Sequence, residues 1–184
     1  MHTAVLLLDL QVDFLDSKQG RMPVGERDAA RIIAIAAALL SGSALEGALP
    51  VLVVNAFPQS QHVANFFRNH AALAGSAGAE LDPRIRVPDG VRIFAKSEAN
   101  AFSNPDLHTF LQSKSINRVC VVGVYAEGCV RATALGAKAL GYAVSVPLDA
   151  IATNGRWKMW IAKRAMRAHG VEMPARFAEL MGTA

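Results

Sequence analysis

Short, nearly continuous apolar runs recur along the chain, with longer amphipathic stretches between them. Ala4 to Leu8, Val51 to Val54, Val91 to Ala95, Arg118 to Val122 and Ala143 to Pro147 are brief and rich in β-branched residues. Apolarity that is continuous rather than alternating predicts strands buried on both faces, as in a parallel sheet. Helical spacing predicts helices over Glu26 to Leu40, Gln61 to Asn69, Asn104 to Ser113, Glu127 to Leu140 and Gly155 to Ala168, and a last strand near Val171 with a helix after Pro174 closes the pattern. Strands alternating with helices imply right-handed βαβ units. The expected fold class is therefore α/β: a three-layer α/β/α sandwich of Rossmann-like type around a central, mainly parallel sheet of about six strands. In such sheets the ligand crevice lies beyond the carboxyl ends of the strands, where the strand order switches.

Composition narrows this picture. The chain has 184 residues, 52% of them hydrophobic, which suits a single domain over residues 1–184 with a substantial core. The apolar run at Ala4 to Leu8 is too short for a signal peptide and ends in Asp9, and no stretch approaches the roughly 18 apolar residues of a membrane span. The expectation is a cytoplasmic protein without a membrane partner. A net charge of +4 raises the question of nucleic acid. The basic residues Arg156, Lys158, Lys163, Arg164 and Arg167 are, however, interleaved with Trp157, Met159, Trp160, Ile161 and Met166, the pattern of an amphipathic helix with a solvated basic face. No nucleic-acid partner is expected. Residues 157–161 and the segment around Phe66 are apolar enough to suggest a homo-oligomer, a dimer or tetramer.

Three reactive side chains stand just past predicted strands: Asp9, Lys96 and Cys129. Singly, each has an ordinary explanation as a turn residue, a solvated lysine or a small buried thiol. Together they converge on one crevice. Cys129 falls in Gly123-Val-Tyr-Ala-Glu-Gly-Cys-Val130, where strand gives way to helix. A thiol in the first turn of a helix meets free N–H groups and the positive dipole end, which lower its pKa and make it nucleophilic. Cys120, inside an apolar run, reads as packing, and nine residues of separation fit no CxxC metal or redox spacing. Asp9 could take the thiol proton and return it to a leaving group, and Lys96 could hold both anions.

These motifs resemble the isochorismatase-like cysteine hydrolases, a family that includes nicotinamidases, carbamoylamidases and ureido-acid amidases. The resemblance rests on Val5 to Phe14, on Lys96-Ser-Glu-Ala-Asn-Ala-Phe102, on Gly123 to Val130, and on Thr133-Ala134, Gly141-Tyr142 and Asp149-Ala150 in that order. It implies a catalytic group of Asp9, Lys96 and Cys129, a cis peptide between Val124 and Tyr125, and an oxyanion hole from the backbone N–H groups of Tyr125 and Cys129. It also implies hydrolysis of a small-molecule amide or ureido bond through a thioester. An isochorismatase-type vinyl-ether hydrolysis, or a thiol-based redox or binding protein on the same fold, are the alternatives.

The departures carry information too. Tyr125, Ala126 and Glu127 stand where many members have a small residue, then Thr or Ser, then Asp; Tyr125 is expected to narrow the pocket or offer its hydroxyl to substrate. Nicotinamidases add a metal site from an Asp-x-His pair and a further His after the second strand, but the segment here is Asn55-Ala-Phe-Pro-Gln-Ser-Gln-His62. The reading predicts no metal and no cofactor. Phe14, Phe57, His62, Phe102 and Tyr125 are the candidate substrate-pocket residues, with Phe66 and Phe67 either beside them or on the core stripe of a short helix. Gln11 and Asp13 are expected to brace the loop after Asp9, and Arg21 and Arg68 are candidates to hold an anionic substrate group.

Overall fold

The computed structural model describes residues 2–42 and 47–180. Six strands, β1 (Thr3–Leu8), β2 (Leu49–Asn55), β3 (Arg92–Lys96), β4 (Arg118–Val124), β5 (Ala143–Ser145) and β6 (Ile151–Ala152), form one sheet. Its order is β3-β2-β1-β4-β5 with β6 also paired to β4, and every ladder is parallel. Strand order turns at the β1/β4 pair: β2 and β3 extend to one side and β5 to the other.

Alternate residues of β1 feed two separate cores, which is why its sequence is apolar without a break. Ala4, Leu6 and Leu8 join one cluster and Val5 and Leu7 the other, all of them fully buried. The helices α4 (Pro105–Ser113), α5 (Arg131–Ala139) and α6 (Arg156–Ala168) cover the first face through Leu107, Leu111, Ala134, Ala137, Ala162 and Met166. The long α2 (Glu26–Leu40) covers the second with Ala29, Ile32, Ala36, Leu39 and Leu40. The three-layer α/β/α arrangement expected from the hydrophobic pattern is the one found.

Four details differ from expectation. The sixth strand is β6 rather than the segment near Val171, where Glu172 makes only an isolated bridge to Ser145. Pro174, two residues on, has no N–H with which to continue a ladder. The helix after Pro174 is a 3₁₀ turn at Phe177–Leu180, and residues beyond 180 lie outside the described part. On α6, Trp157 and Trp160 face outward rather than joining the apolar face, which is made by buried Ala162 and Met166 with Met159 packed beside them. The helix expected from Glu127 begins instead with a widened turn over Ala126–Val130, containing Gly128 at non-helical angles, before α5 starts at Arg131.

Two short helices flank the crevice: α1 (Val12–Leu15), just after β1, and α3 (His62–Phe67), after β2. Gly123 allows the tightest approach in the sheet. At its φ of 122° a Cβ would fall 2.1 Å from the Leu8 carbonyl oxygen on the neighbouring strand, so only glycine lets β4 run beside β1 into the turn that carries Cys129.

Candidate active site

The carboxyl ends of β1, β2, β3 and β4 bring four polar side chains to one point. Asp9 follows β1 with a left-handed backbone (φ 59°), a conformation aspartate tolerates better than most residues, and its N–H is held by the Val53 carbonyl at 2.9 Å. Asn55 and Lys96 end β2 and β3 as register partners. Cys129 arrives from the widened turn after β4. Asp9, Asn55 and Lys96 are buried and Cys129 is partly exposed.

Lys96 is the centre of the cluster. Its Nζ lies 3.2 and 3.3 Å from the two Asp9 carboxylate oxygens, 2.5 Å from Asn55 Oδ1 and 3.2 Å from Cys129 Sγ. Asn55 Nδ2 lies 3.9 Å from the same sulfur. The structure therefore brings Asp9, Lys96 and Cys129 together and adds Asn55, which in sequence stands out only as the start of a segment lacking metal ligands. The signal that marks it is position: it closes an apolar strand, as Asp9 and Lys96 do.

The surroundings hold this cluster in place. Gln11 Nε2 donates to the Asn55 carbonyl and Gln11 Oε1 accepts from the Asn55 N–H, both at 2.8 Å. Asp13 accepts from the backbone N–H groups of Arg21 and Ala72 at 3.0 and 2.7 Å. Both brace the loop after Asp9. On the other side, Asn104 caps α4 by accepting from the Asp106 N–H and donates to the Ala95 carbonyl at 2.9 Å, tying that helix to the strand position before Lys96. Thr133 Oγ1 accepts from the Ala101 N–H at 2.9 Å, joining the Lys96–Phe102 motif to α5.

Electrostatics divide the roles. Burial pushes the Asp9 carboxyl pKa above the ordinary aspartate value, against the opposing charge of Lys96 and hydrogen bonding from Cys129, Lys96 and Asn55. Burial works against the charge on Lys96, but the Asp9 carboxylate first, and the Cys129 sulfur beside it, outweigh that and raise the ammonium pKa, so Lys96 is a cation. The Cys129 thiol is pushed up to about 12 by burial and by the Asp9 carboxylate, with Lys96 working the other way. This corrects the expectation of a thiol acidified by a helix start. Cys129 precedes α5 rather than occupying its first turn, and a carboxylate beside it disfavours a second anion. At rest the proton sits on sulfur, next to a carboxylate made more basic than usual. Cys120 is wholly buried and likewise pushed up to about 12 by burial.

The candidate pocket residues divide into groups. Phe14 is buried and meets the Tyr125 ring edge to face with centroids 5.9 Å apart. The Tyr125 hydroxyl donates to the Met22 carbonyl, so it serves the fold rather than standing free for a substrate. The Val124–Tyr125 peptide is cis. Phe57 is buried, and Phe102 stacks on Tyr142 at 5.8 Å. His62 is exposed at the start of α3 and takes no part in the contacts around Cys129. Phe66 and Phe67, 73% and 80% exposed, are not core residues. Arg21 is occupied with the His70 carbonyl. A metal site of the Asp-x-His type does not fit: the segment from Asn55 to His62 contains no aspartate and a single histidine. Among the described residues no three His, Cys, Asp or Glu side chains are grouped to hold an ion.

The isochorismatase domain family matches residues 3–184 of this parallel α/β chain. The chain belongs to that family. Among its relatives, a probable inactive nicotinamidase of Arabidopsis thaliana is 28% identical over 162 residues, covering 82% of this chain and 81% of the relative. The N-carbamoylsarcosine amidase of an Arthrobacter species is 38% identical over 78 residues, 42% of this chain and 30% of that protein. In three dimensions the pyrazinamidase of Pyrococcus horikoshii, solved in complex with zinc, superposes with a TM-score of 0.80 at 27% identity, covering 94% of this chain and 98% of that one. No helix among the described residues is long and apolar enough to cross a membrane.

Proposed function

We propose that this protein hydrolyses a C–N bond of a small amide or ureido compound, with Cys129 as nucleophile, Asp9 as proton shuttle and Lys96 as electrostatic stabiliser. The observation that carries the reading is the position of Lys96 Nζ, within 3.3 Å of both the Asp9 carboxylate and the Cys129 sulfur. One cation between a proton acceptor and a thiol lets the proton leave sulfur without creating two uncompensated buried anions.

The sequence of events follows from the resting charges. As Sγ attacks the carbonyl carbon, the thiol proton passes to Asp9 and the carbonyl π pair moves to oxygen. The backbone N–H groups of Tyr125 and Cys129 receive that oxyanion. Collapse of the tetrahedral species breaks the C–N bond, and Asp9 delivers its proton to the departing nitrogen, leaving a thioester on Cys129. Water then adds to the thioester and gives its proton to Asp9. The second collapse releases the acid and the thiolate, which recovers its proton from Asp9. Asn55, held by Gln11, keeps Lys96 aimed at this line of transfer.

A relative named as an N-carbamoylsarcosine amidase supports amide chemistry, the nicotinamidase-like relative being named as a probable inactive one, and the absence of an Asp-x-His pair argues against a nicotinamidase built around that metal site. The site works without a cofactor in this reading, the enzyme is cytoplasmic, and the exposed Phe66, Phe67, Trp157 and Trp160 suit contact between subunits of a dimer or tetramer. The deciding experiment offers a panel of amides and ureido acids to the protein and to Cys129→Ala. Ammonia release by the wild type, abolished in the variant together with loss of a trapped thioester mass, is the expected result. Turnover that survives the substitution refutes the covalent mechanism.

A further inference from the structure

Arg68, at the C-terminal end of α3, is a cation whose partners are all neutral. Its Nη2 donates to Gln61 Oε1 at 2.8 Å and to Asn65 Oδ1 at 2.7 Å, both amide oxygens. The central carbon of its guanidinium lies over the ring of Phe57, 3.6 Å from the ring centroid. Phe57 in turn is buried and fixed by backbone bonds to Ala72 and Ala74, two residues beyond Asn55 on the same strand exit. The Nε atom is buried and has no hydrogen-bond partner, and no carboxylate pairs with Arg68 among the described residues. Burial lowers the pKa of this guanidinium, and a Cys129 thiolate, where it forms, works to raise it.

A guanidinium is built to grip a planar two-oxygen anion, and leaving one of its buried donors empty costs free energy that a ligand recovers. Here the ring below and the two amides beside it fix the orientation, while the charge and Nε are left unanswered. If Arg68 served only to pack on Phe57, a neutral side chain of similar length would meet the same need without burying an unpaired donor. We propose that Arg68 is the anion-recognising residue of this crevice and that the substrate carries a carboxylate beyond its scissile carbonyl, as an amido or ureido acid does. The assignment rests on Cys129 being the reacting group and narrows the substrate class of that site.

Alkylation of Cys129 tests this without any hydrolysis. Iodoacetate and iodoacetamide lose the same iodide to the same sulfur and differ in charge, so the ratio of their rates cancels changes in the thiol itself. The full-length protein is reacted with each, and modification is followed by mass at the Cys129 peptide. With Arg68→Gln the iodoacetate-to-iodoacetamide ratio falls about fivefold or more while the iodoacetamide rate stays within about twofold, and Arg68→Lys keeps most of the preference. An unchanged ratio overturns the proposal. So does an equal loss of both rates, which makes Arg68 a residue of the fold alone. Because alkylation needs no turnover, an amide panel that fails leaves this result standing. Where turnover is found, Arg68→Gln raises KM for the ureido acids about tenfold and leaves kcat, and the matching neutral carboxamides, nearly unchanged.

Discussion

The side-chain amide of Gln11 lies against the backbone of Asn55 like one more strand residue, donating to its carbonyl and accepting from its N–H at 2.8 Å each. Gln11 has no exposed surface, and its Nε2 also donates to Ala79 at 2.6 Å. Through this contact the loop after β1 sets the height of Asn55, and Asn55 sets the direction of Lys96. Gln11→Ala strips three hydrogen bonds, two of them fully buried, and leaves the Asn55 backbone groups unpaired, so unfolding in urea is expected to show a loss of about 2 to 4 kcal/mol. Activity falls through kcat more than KM. A variant as stable as wild type shows that the crevice does not depend on this bracing.

Lys96 neutralises a buried carboxylate, and its removal leaves that charge alone. Lys96→Met should destabilise the protein by about 3 to 5 kcal/mol at neutral pH. The penalty depends on ionised Asp9, whose pKa is raised, so it shrinks as pH falls through that raised value and the carboxyl takes up a proton. Stability curves of variant and wild type that converge on acidification are the expected outcome; a pH-independent gap assigns the loss to packing.

The thiol of Cys129 is pushed up to about 12, and the Asp9 carboxylate is one of the causes. Its alkylation by iodoacetamide therefore keeps accelerating from neutral pH far into the alkaline range, where an acidified cysteine levels off early. Asp9→Asn removes a negative neighbour, so the thiol pKa drops and the rise in alkylation shifts to lower pH, although turnover is lost with the base. A plateau below pH 8 in the wild type, or a rise shifted upward in the variant, contradicts this electrostatic account.

Gly123 lies where β4 passes closest to β1. Gly123→Ala puts a methyl group 2.1 Å from the Leu8 carbonyl at a left-handed φ, and β4 must move off its neighbour to relieve it. The cost is expected to be about 3 kcal/mol or more by chemical denaturation, with activity reduced because the Cys129 turn moves as well. Wild-type stability shows that the strand pair relaxes at little cost.

Much of this architecture was legible along the chain because burial on both faces writes itself as uninterrupted apolarity. Val5 and Leu7 could not be polar any more than Leu6 could, so β1 was readable, and with it Asp9 as the first residue past the sheet. Lys96 stands out in the same way at the end of the Val91 to Ala95 run. Edge elements were not legible in this way: Val171 and Ile151 are equally apolar, and which of them joins the sheet is decided by pairing to β4. Trp157 and Trp160 are apolar yet exposed, since the helix turns its smaller residues Ala162 and Met166 inward.

The sequence by itself determined the parallel sheet, its helical layers and the strand ends that carry Asp9, Lys96 and Cys129, since hydrophobic periodicity and strand termination are local properties. Only the tertiary structure decided the electrostatics of the group they form. Whether a cysteine is acidified depends on what lies within a few ångströms of its sulfur, and here burial, joined by a carboxylate 120 positions earlier in the chain, keeps the thiol protonated. The same holds for Asn55 and Arg68, whose place in the crevice depends on Gln11 and Phe57 packing beneath them.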